Sequence, residues 1–331
     1  MTLAAVDHEK ALAELDQLMA ETYQLWNEEW VGFSWRNYTY DHVSRVRALA
    51  RTLGRREKAD DLVIRYGATL HDITKSFDGE ILTDPDGKRV VDENGLWLND
   101  YLPPARANKL TRLYDRLDLH RTVHSKSGAI VANTLLDEYG LPPEFRDHVG
   151  EVIHTHLMPG PESSVEGKCL YDADTVDANI GLPAFYRNIR ISMHRQEDQF
   201  AAKGDDLDAW LDANRDQFLR EYLGERVPAW NEGKRRDFVS KLTMPSSQKV
   251  AGTRVDRLGV LLEEMKRELD DPEAALEDGM LAVVWRFIKN RRNPSLTKEL
   301  VHLELEHCHG EPKSAAARLI VDIRKEVAGE R

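Results

Sequence analysis

The stretch Gly67-Ala68-Thr69-Leu70-His71-Asp72-Ile73-Thr74-Lys75 decides how this chain is read. It closes an apolar helical run expected over Asp60–Thr74 and places adjacent His and Asp side chains near its end. Neighbours on a helix leave it about 100° apart, so both can grip one cation from one face. Imidazole nitrogen and carboxylate oxygen are both good ligands for divalent first-row metals. A single His-Asp pair arises easily by chance. Here it has a histidine upstream, His42, and an acidic segment downstream, Tyr171-Asp172-Ala173-Asp174-Thr175-Val176-Asp177. On the predicted helix from about Tyr40 to Leu53, ended by Gly54, His42 shares its face with Val46, Leu49 and Leu53, so it points inward.

Three segments, Asp41-His42-Val43-Ser44-Arg45-Val46, the His71-Asp72 stretch and Asp172–Ala178, resemble the HD-domain metal-dependent phosphohydrolases. The likeness covers roughly residues 35–200. It implies an all-α helical bundle that presents His42, His71, Asp72 and Asp174 to a metal. Asp174 is preferred to Asp172 because the family ligand follows an Ala, here Ala173. Some families of this type place two more histidines between the pair and the last Asp, and His124 and His156 stand at those positions. They would build a second metal site with Asp72 bridging. The cofactor implied is one or two divalent ions of the Mn, Fe or Mg kind.

The helical period separates His156 from its neighbour His154. His156 shares a face with Phe145, Val149 and Val152, whereas His154 falls with Asp147, Gly150 and Glu151. His120 and His154 read as surface residues or as neighbours of the ligands. Glu306-His307-Cys308-His309 lacks the paired spacing of a zinc site and reads as a solvated helix end.

Between Lys75 and His124 the texture changes. Asp84-Pro85-Asp86-Gly87 and Asp92-Glu93-Asn94-Gly95 are turn signals separating the short runs Glu80–Thr83, Lys88–Val91 and Leu96–Leu98. A small β-meander inserted at about 76–123 is expected, placed as a lid or as surface decoration. Helices are expected over His124–Tyr139 and Pro142–His156. The organisation is then an N-terminal helix over 1–34, with an aromatic stretch (Trp26, Trp30, Phe33, Trp35, Tyr38, Tyr40) at its end. An HD domain follows over 35–203 and a helical C-terminal region over 204–331, broken at Pro245-Ser246-Ser247 and Asn293-Pro294-Ser295.

Of 331 residues, 46 are Lys or Arg and 58 Asp or Glu, a net charge of −12. An acidic chain repels phosphate backbones, which argues against a nucleic-acid partner and for a small substrate. No run approaches the roughly 18 apolar residues of a membrane span, and Met1–Leu15 does not read as a signal peptide. Cys169 and Cys308 are too few for a disulfide framework, which fits a cytoplasmic protein. No Gly-rich phosphate loop or Gly-x-Ser-x-Gly elbow is found. The C-terminal helices offer a surface for homo-oligomer formation.

The expected chemistry is hydrolysis of a nucleotide or other small phosphate ester or anhydride. Asp72 and Lys75 are the catalytic candidates, and Lys75, Arg187 and Arg190 the candidates for holding the substrate phosphate. Two other readings use the same residues. One is an HD-type di-iron oxygenase similar to myo-inositol oxygenase, and the other is a binding module that keeps the metal without turnover.

Overall fold

The computed structural model describes all residues except 1, 2, 4, 5, 29, 32, 33, 294 and 309–313, and only the backbone of 30, 31 and 34–39. Phe33 and His309 therefore lie outside the described residues, as do the side chains of Trp30, Trp35 and Tyr38. Helices dominate, as the binary pattern requires. The chain divides into two compact units, Met1–Asp174 and Thr175–Arg331.

The first unit opens with α1 (His8–Tyr23), capped by the Asp7 carboxylate. A two-residue ladder, β1 (Trp30–Val31) against β2 (Ser34–Trp35), leads into α2 (Arg36–Glu57). α2 runs through Gly54 instead of ending there. A Cβ at Gly54 would lie 2.2 Å from Ile64 Cδ1, so this glycine serves close packing against the next helix, α3 (Asp61–Leu70). α4 (Lys109–Arg116), α5 (His124–Glu138), α6 (Pro143–Thr155) and α7 (Val165–Asn179) follow. α7 carries the chain across the division between units.

α3 stops at Leu70, four residues before the expected end at Thr74. Beyond it Ile73 N–H donates to Leu70 O, Lys75 N–H to Asp72 O and Phe77 N–H to Thr74 O, a tightening into three-residue turns. Thr74 Oγ1 anchors that turn by donating to His124 O at 3.0 Å and lying 2.8 Å from Ser127 Oγ. The His-Asp pair thus sits at a helix exit and not in mid-helix.

The inserted segment contains β3 (Asp78–Ile81) paired antiparallel with β4 (Asn99–Tyr101). Between them are the isolated bridges Thr83↔Arg89 and Val91↔Trp97. A meander pairs only successive strands, but here the three corners close on one another. Leu82 N–H donates to Leu98 O, Leu98 N–H to Val90 O and Val90 N–H to Leu82 O, each at 2.9 Å. The two turns are alike: Asp84 Oδ1 accepts from Asp86 N and Lys88 N, and Asp92 Oδ1 from Asn94 N and Leu96 N. Gly87 and Gly95 supply the positive φ, +76° and +82°. The insertion also holds α4, whose capping box uses Asn108 and Thr111. A Thr at the position usually held by Glu or Gln hid that helix from the sequence.

In the second unit, α8 (Leu182–Ala201) packs Phe185, Ile189 and Met193 into one core with Leu258, Leu262, Val284, Phe287 and Ile320. The sequence grouped α8 with the bundle up to 203, but its apolar face belongs to this core. The contact division lies at 174/175. Asp206 caps the short helix Leu207–Ala213, so the acidic Gly204–Asp208 stretch starts a helix. Pro245 is likewise the first residue of the helix Pro245–Glu268. Among the described residues, no helix is long and apolar enough to cross a membrane.

Candidate metal centre

Three helix ends and the body of α2 meet at one place in the first unit. α3 ends beside His71 and Asp72, α6 ends beside His156, α5 begins at His124, and His42 lies in α2. All five side chains are buried. His71 and His156 both follow a last helical turn, and each Nδ1 bonds a carbonyl of that turn, Ala68 O at 2.9 Å and Ile153 O at 2.6 Å. A carbonyl only accepts, so Nδ1 carries the proton in both rings and Nε2 keeps its lone pair. Both Nε2 atoms are buried without a hydrogen-bond partner.

The Asp72 carboxylate lies between two groups of rings. Oδ2 is 3.7 Å from His71 Nε2, while Oδ1 is 3.5 Å from His124 Nε2 and 3.7 Å from His156 Nε2. His42, His71 and Asp72 each offer a ligand atom within 4.8 Å of the others, and so do Asp72, His124 and His156. Asp174 enters through His42, whose Nε2 is 2.7 Å from Asp174 Oδ1. Asp172, two residues earlier on α7, is buried.

Burial alone would raise the Asp72 carboxyl, but His71, His124, Lys75 and His156 outweigh it and hold the group well below the usual carboxylate range. Burial, with His71 and His124 adding to it, pushes His156 down to about 3. The cluster therefore keeps an ionised carboxylate and an imidazole with a free lone pair at neutral pH. Unpartnered Nε2 atoms facing a shared carboxylate suit a cation better than any hydrogen-bonding arrangement of these groups alone.

Two residues that the sequence did not single out hold the cluster in place. Asp78 Oδ2 lies 3.0 Å from His124 Nδ1, which turns His124 Nε2 toward Asp72. The Tyr23 hydroxyl donates to Asp72 O at 2.8 Å, anchoring the turn from α1. Lys75 Nζ lies 3.3 Å from His124 Nδ1 and 3.4 Å from Asp78 Oδ2, so it stays beside the cluster.

The remaining candidates fall elsewhere. His154 is exposed and His156 buried, as the helical period requires. His120 stacks on Tyr101 at 4.0 Å and pairs with Asp115. Arg187 and Arg190 belong to the second unit. Arg190 is buried there, with its guanidinium over Tyr186 and NH1 donating to Arg291 O, and Arg187 NH1 donates to Ala178 O. Arg190, a phosphate-holding candidate in the sequence, is thus a core residue of the second unit. Burial pushes the Cys169 thiol up to about 12, and burial with Glu304 raises that of Cys308, so neither is a ready nucleophile.

Fold and site together define a helical domain with a buried His/Asp cluster that could hold metal. Residues 39–179 match the HD domain, so the chain carries an HD domain over that stretch. Among solved structures, a predicted HD superfamily hydrolase from an uncultured Thermotogales bacterium is 19% identical, aligned over 78% of this chain and 92% of its own, with a TM-score of 0.42. Bacillus subtilis YpgQ, in its complex with ADP, is 21% identical over 79% of this chain and 97% of its own, with a TM-score of 0.34. No curated protein matches the chain.

Proposed function

We propose that the protein is a metal-dependent phosphohydrolase acting on a nucleotide or other small phosphate ester or anhydride. The observation that carries the reading is the Asp72 carboxylate, with one oxygen toward His71 and the other toward His124 and His156. In this proposal His42, His71, Asp72 and Asp174 hold one divalent ion. Asp72, His124 and His156 hold a second, with Asp72 shared. Ions bound there lower the pKa of a water and polarise the phosphoryl group.

The chain's own groups do the rest. Asp72 orients the attacking water, whose oxygen bonds to phosphorus as the bond to the leaving oxygen breaks. Lys75, whose side chain is 38% exposed, neutralises a phosphoryl oxygen while Asp78 keeps it aimed at the cluster. Asp78 also fixes the His124 tautomer. Arg190 is committed to Arg291 and does not enter the proposal.

The test is metal analysis of protein purified without added metal, followed by a phosphoester panel and an oxygen-uptake assay on the same sample. Metal-dependent phosphate release without oxygen uptake is expected. Oxygen uptake with bound iron would replace the reading with the di-iron oxygenase, and bound metal with neither activity would leave a binding module.

A further inference from the structure

A cavity of about 420 Å³ opens beside Lys75 and His124, a volume suited to a small organic ligand. Its other walls are mainly apolar, with Ile81, Leu96 and Trp97 from the inserted segment and Leu157 from the turn after His156. Trp97 is 48% exposed, a large apolar area to leave to water. The indole is also held in place. The Arg89 guanidinium lies 3.7 Å from the ring centroid, and the three-cornered backbone ring through Leu82, Val90 and Leu98 fixes the segment that carries it. Trp97 additionally lines a water-sized pocket against Asp78 and His124, which ties the ring to the edge of the cluster.

One end of the cavity thus offers a cation and an imidazole, and the rest offers carbon. A sugar-like or highly charged leaving group would leave Leu96, Leu157 and the indole uncovered, whereas a flat ring would cover them and pack against the indole. We propose that this cavity receives the leaving group of the substrate and selects phosphate esters whose leaving group bears an aromatic ring, with Trp97 setting the preference. The assignment rests on the phosphohydrolase reading for what occupies the His124 end. It goes beyond that reading by giving the inserted segment the role of specificity wall.

Calorimetric titration of the metal-loaded protein with phenylphosphonate and methylphosphonate tests this without turnover. Phenylphosphonate is expected to bind roughly fivefold to tenfold more tightly, the scale of a good ring-on-ring contact with its burial. Trp97→Ala should erase that advantage and leave methylphosphonate unchanged, while Trp97→Phe keeps most of it. Equal affinity for the two probes, binding of neither, or equal weakening of both in Trp97→Ala would overturn the proposal. Hydrolysis of p-nitrophenyl phosphate and glycerol phosphate is measured alongside. A phenyl preference in binding with neither ester hydrolysed removes the phosphohydrolase reading and leaves the cavity assignment standing. Hydrolysis of both esters with no phenyl preference removes the cavity assignment alone.

Discussion

Asp78 Oδ2 accepts the Nδ1 proton of His124 at 3.0 Å, and the opposite ring nitrogen then faces Asp72 Oδ1 at 3.5 Å. This is the arrangement in which a carboxylate fixes the tautomer of a metal-binding imidazole and raises its basicity. Asp78 is itself held low. Burial would raise its carboxyl, but His124 and Lys75 more than offset that.

Replacing Asp78 with Asn should therefore act through His124. An amide can still accept from Nδ1, but it lacks the charge that strengthens the imidazole as a ligand. Affinity for the second ion is expected to drop roughly tenfold to a hundredfold, with the first ion retained and the helical content unchanged. Metal titration of the purified variant checks this. Equal weakening of both ions would mean that Asp78 supports the fold and not His124.

His154 and His156 make a paired test. His156 Nε2 is buried without a partner at 3.7 Å from Asp72, and His154 is exposed on the same helix end. His156→Ala should lose one metal per chain and most phosphate release, whereas His154→Ala keeps both. Stoichiometry of the two purified variants decides the matter. Equal loss in both, or loss with His154 alone, would overturn the assignment.

Acid should weaken the metal-free protein for a related reason. His156 titrates near 3 in the fold, because of burial and its neighbours His71 and His124, against roughly 6.5 when unfolded. Between those values the unfolded chain binds a proton that the folded chain does not, so stability falls as pH drops below about 6.5. Asp72, depressed in the fold, works in the same direction at lower pH. Each pH unit inside the window costs up to about 1.4 kcal/mol for one such proton. Urea unfolding of chelator-treated protein at pH 7.5, 6.5 and 5.5 measures it. A His156→Phe variant should show a shallower slope between those points.

The ligand candidates came from the resemblance carried by three short segments, and the apolar faces that His42 and His156 share are a pattern that survives in a single sequence. Asp78 had no such signal. Its position depends on α3 giving way to three-residue turns after Leu70, and on Thr74 tying that turn to His124 and Ser127. Those are contacts across some fifty residues, which no local spacing announces. Tyr23 escaped for the same reason, since its hydroxyl meets a backbone carbonyl far along the chain. The two Asp-x-x-Gly turns of the insertion could be read one at a time, but the closure of Leu82, Val90 and Leu98 into one ring is a tertiary fact. Gly54 misled because a glycine near a helix end resembles a stop signal, and its use in close packing shows only once Ile64 is placed against it.

Gly67 gives the last test, because it controls how closely α3 approaches α6. A Cβ there would lie 2.7 Å from Val152 Cγ1 and 3.9 Å from Leu170 Cδ2. Val152 is fully buried and, being β-branched, is stiff at its first torsion, so it cannot easily swing away. Gly67→Ala gains about 1 kcal/mol in helix propensity, but overpacking of this kind costs about 1–3 kcal/mol. The net expectation is a loss of about 1 kcal/mol. The same helices end beside His71 and His156, whose rings sit 5.2 Å apart, each with Nε2 3.7 Å from the Asp72 carboxylate. Pushing them apart should therefore weaken metal binding as well as stability. Val152→Ala in the same chain removes the obstructing methyl groups, so the double variant should recover both properties relative to the sum of the single changes. Urea unfolding and metal titration of the four proteins in the cycle read the two effects together, and strict additivity in both would show that Gly67 does not set the spacing of α3 and α6.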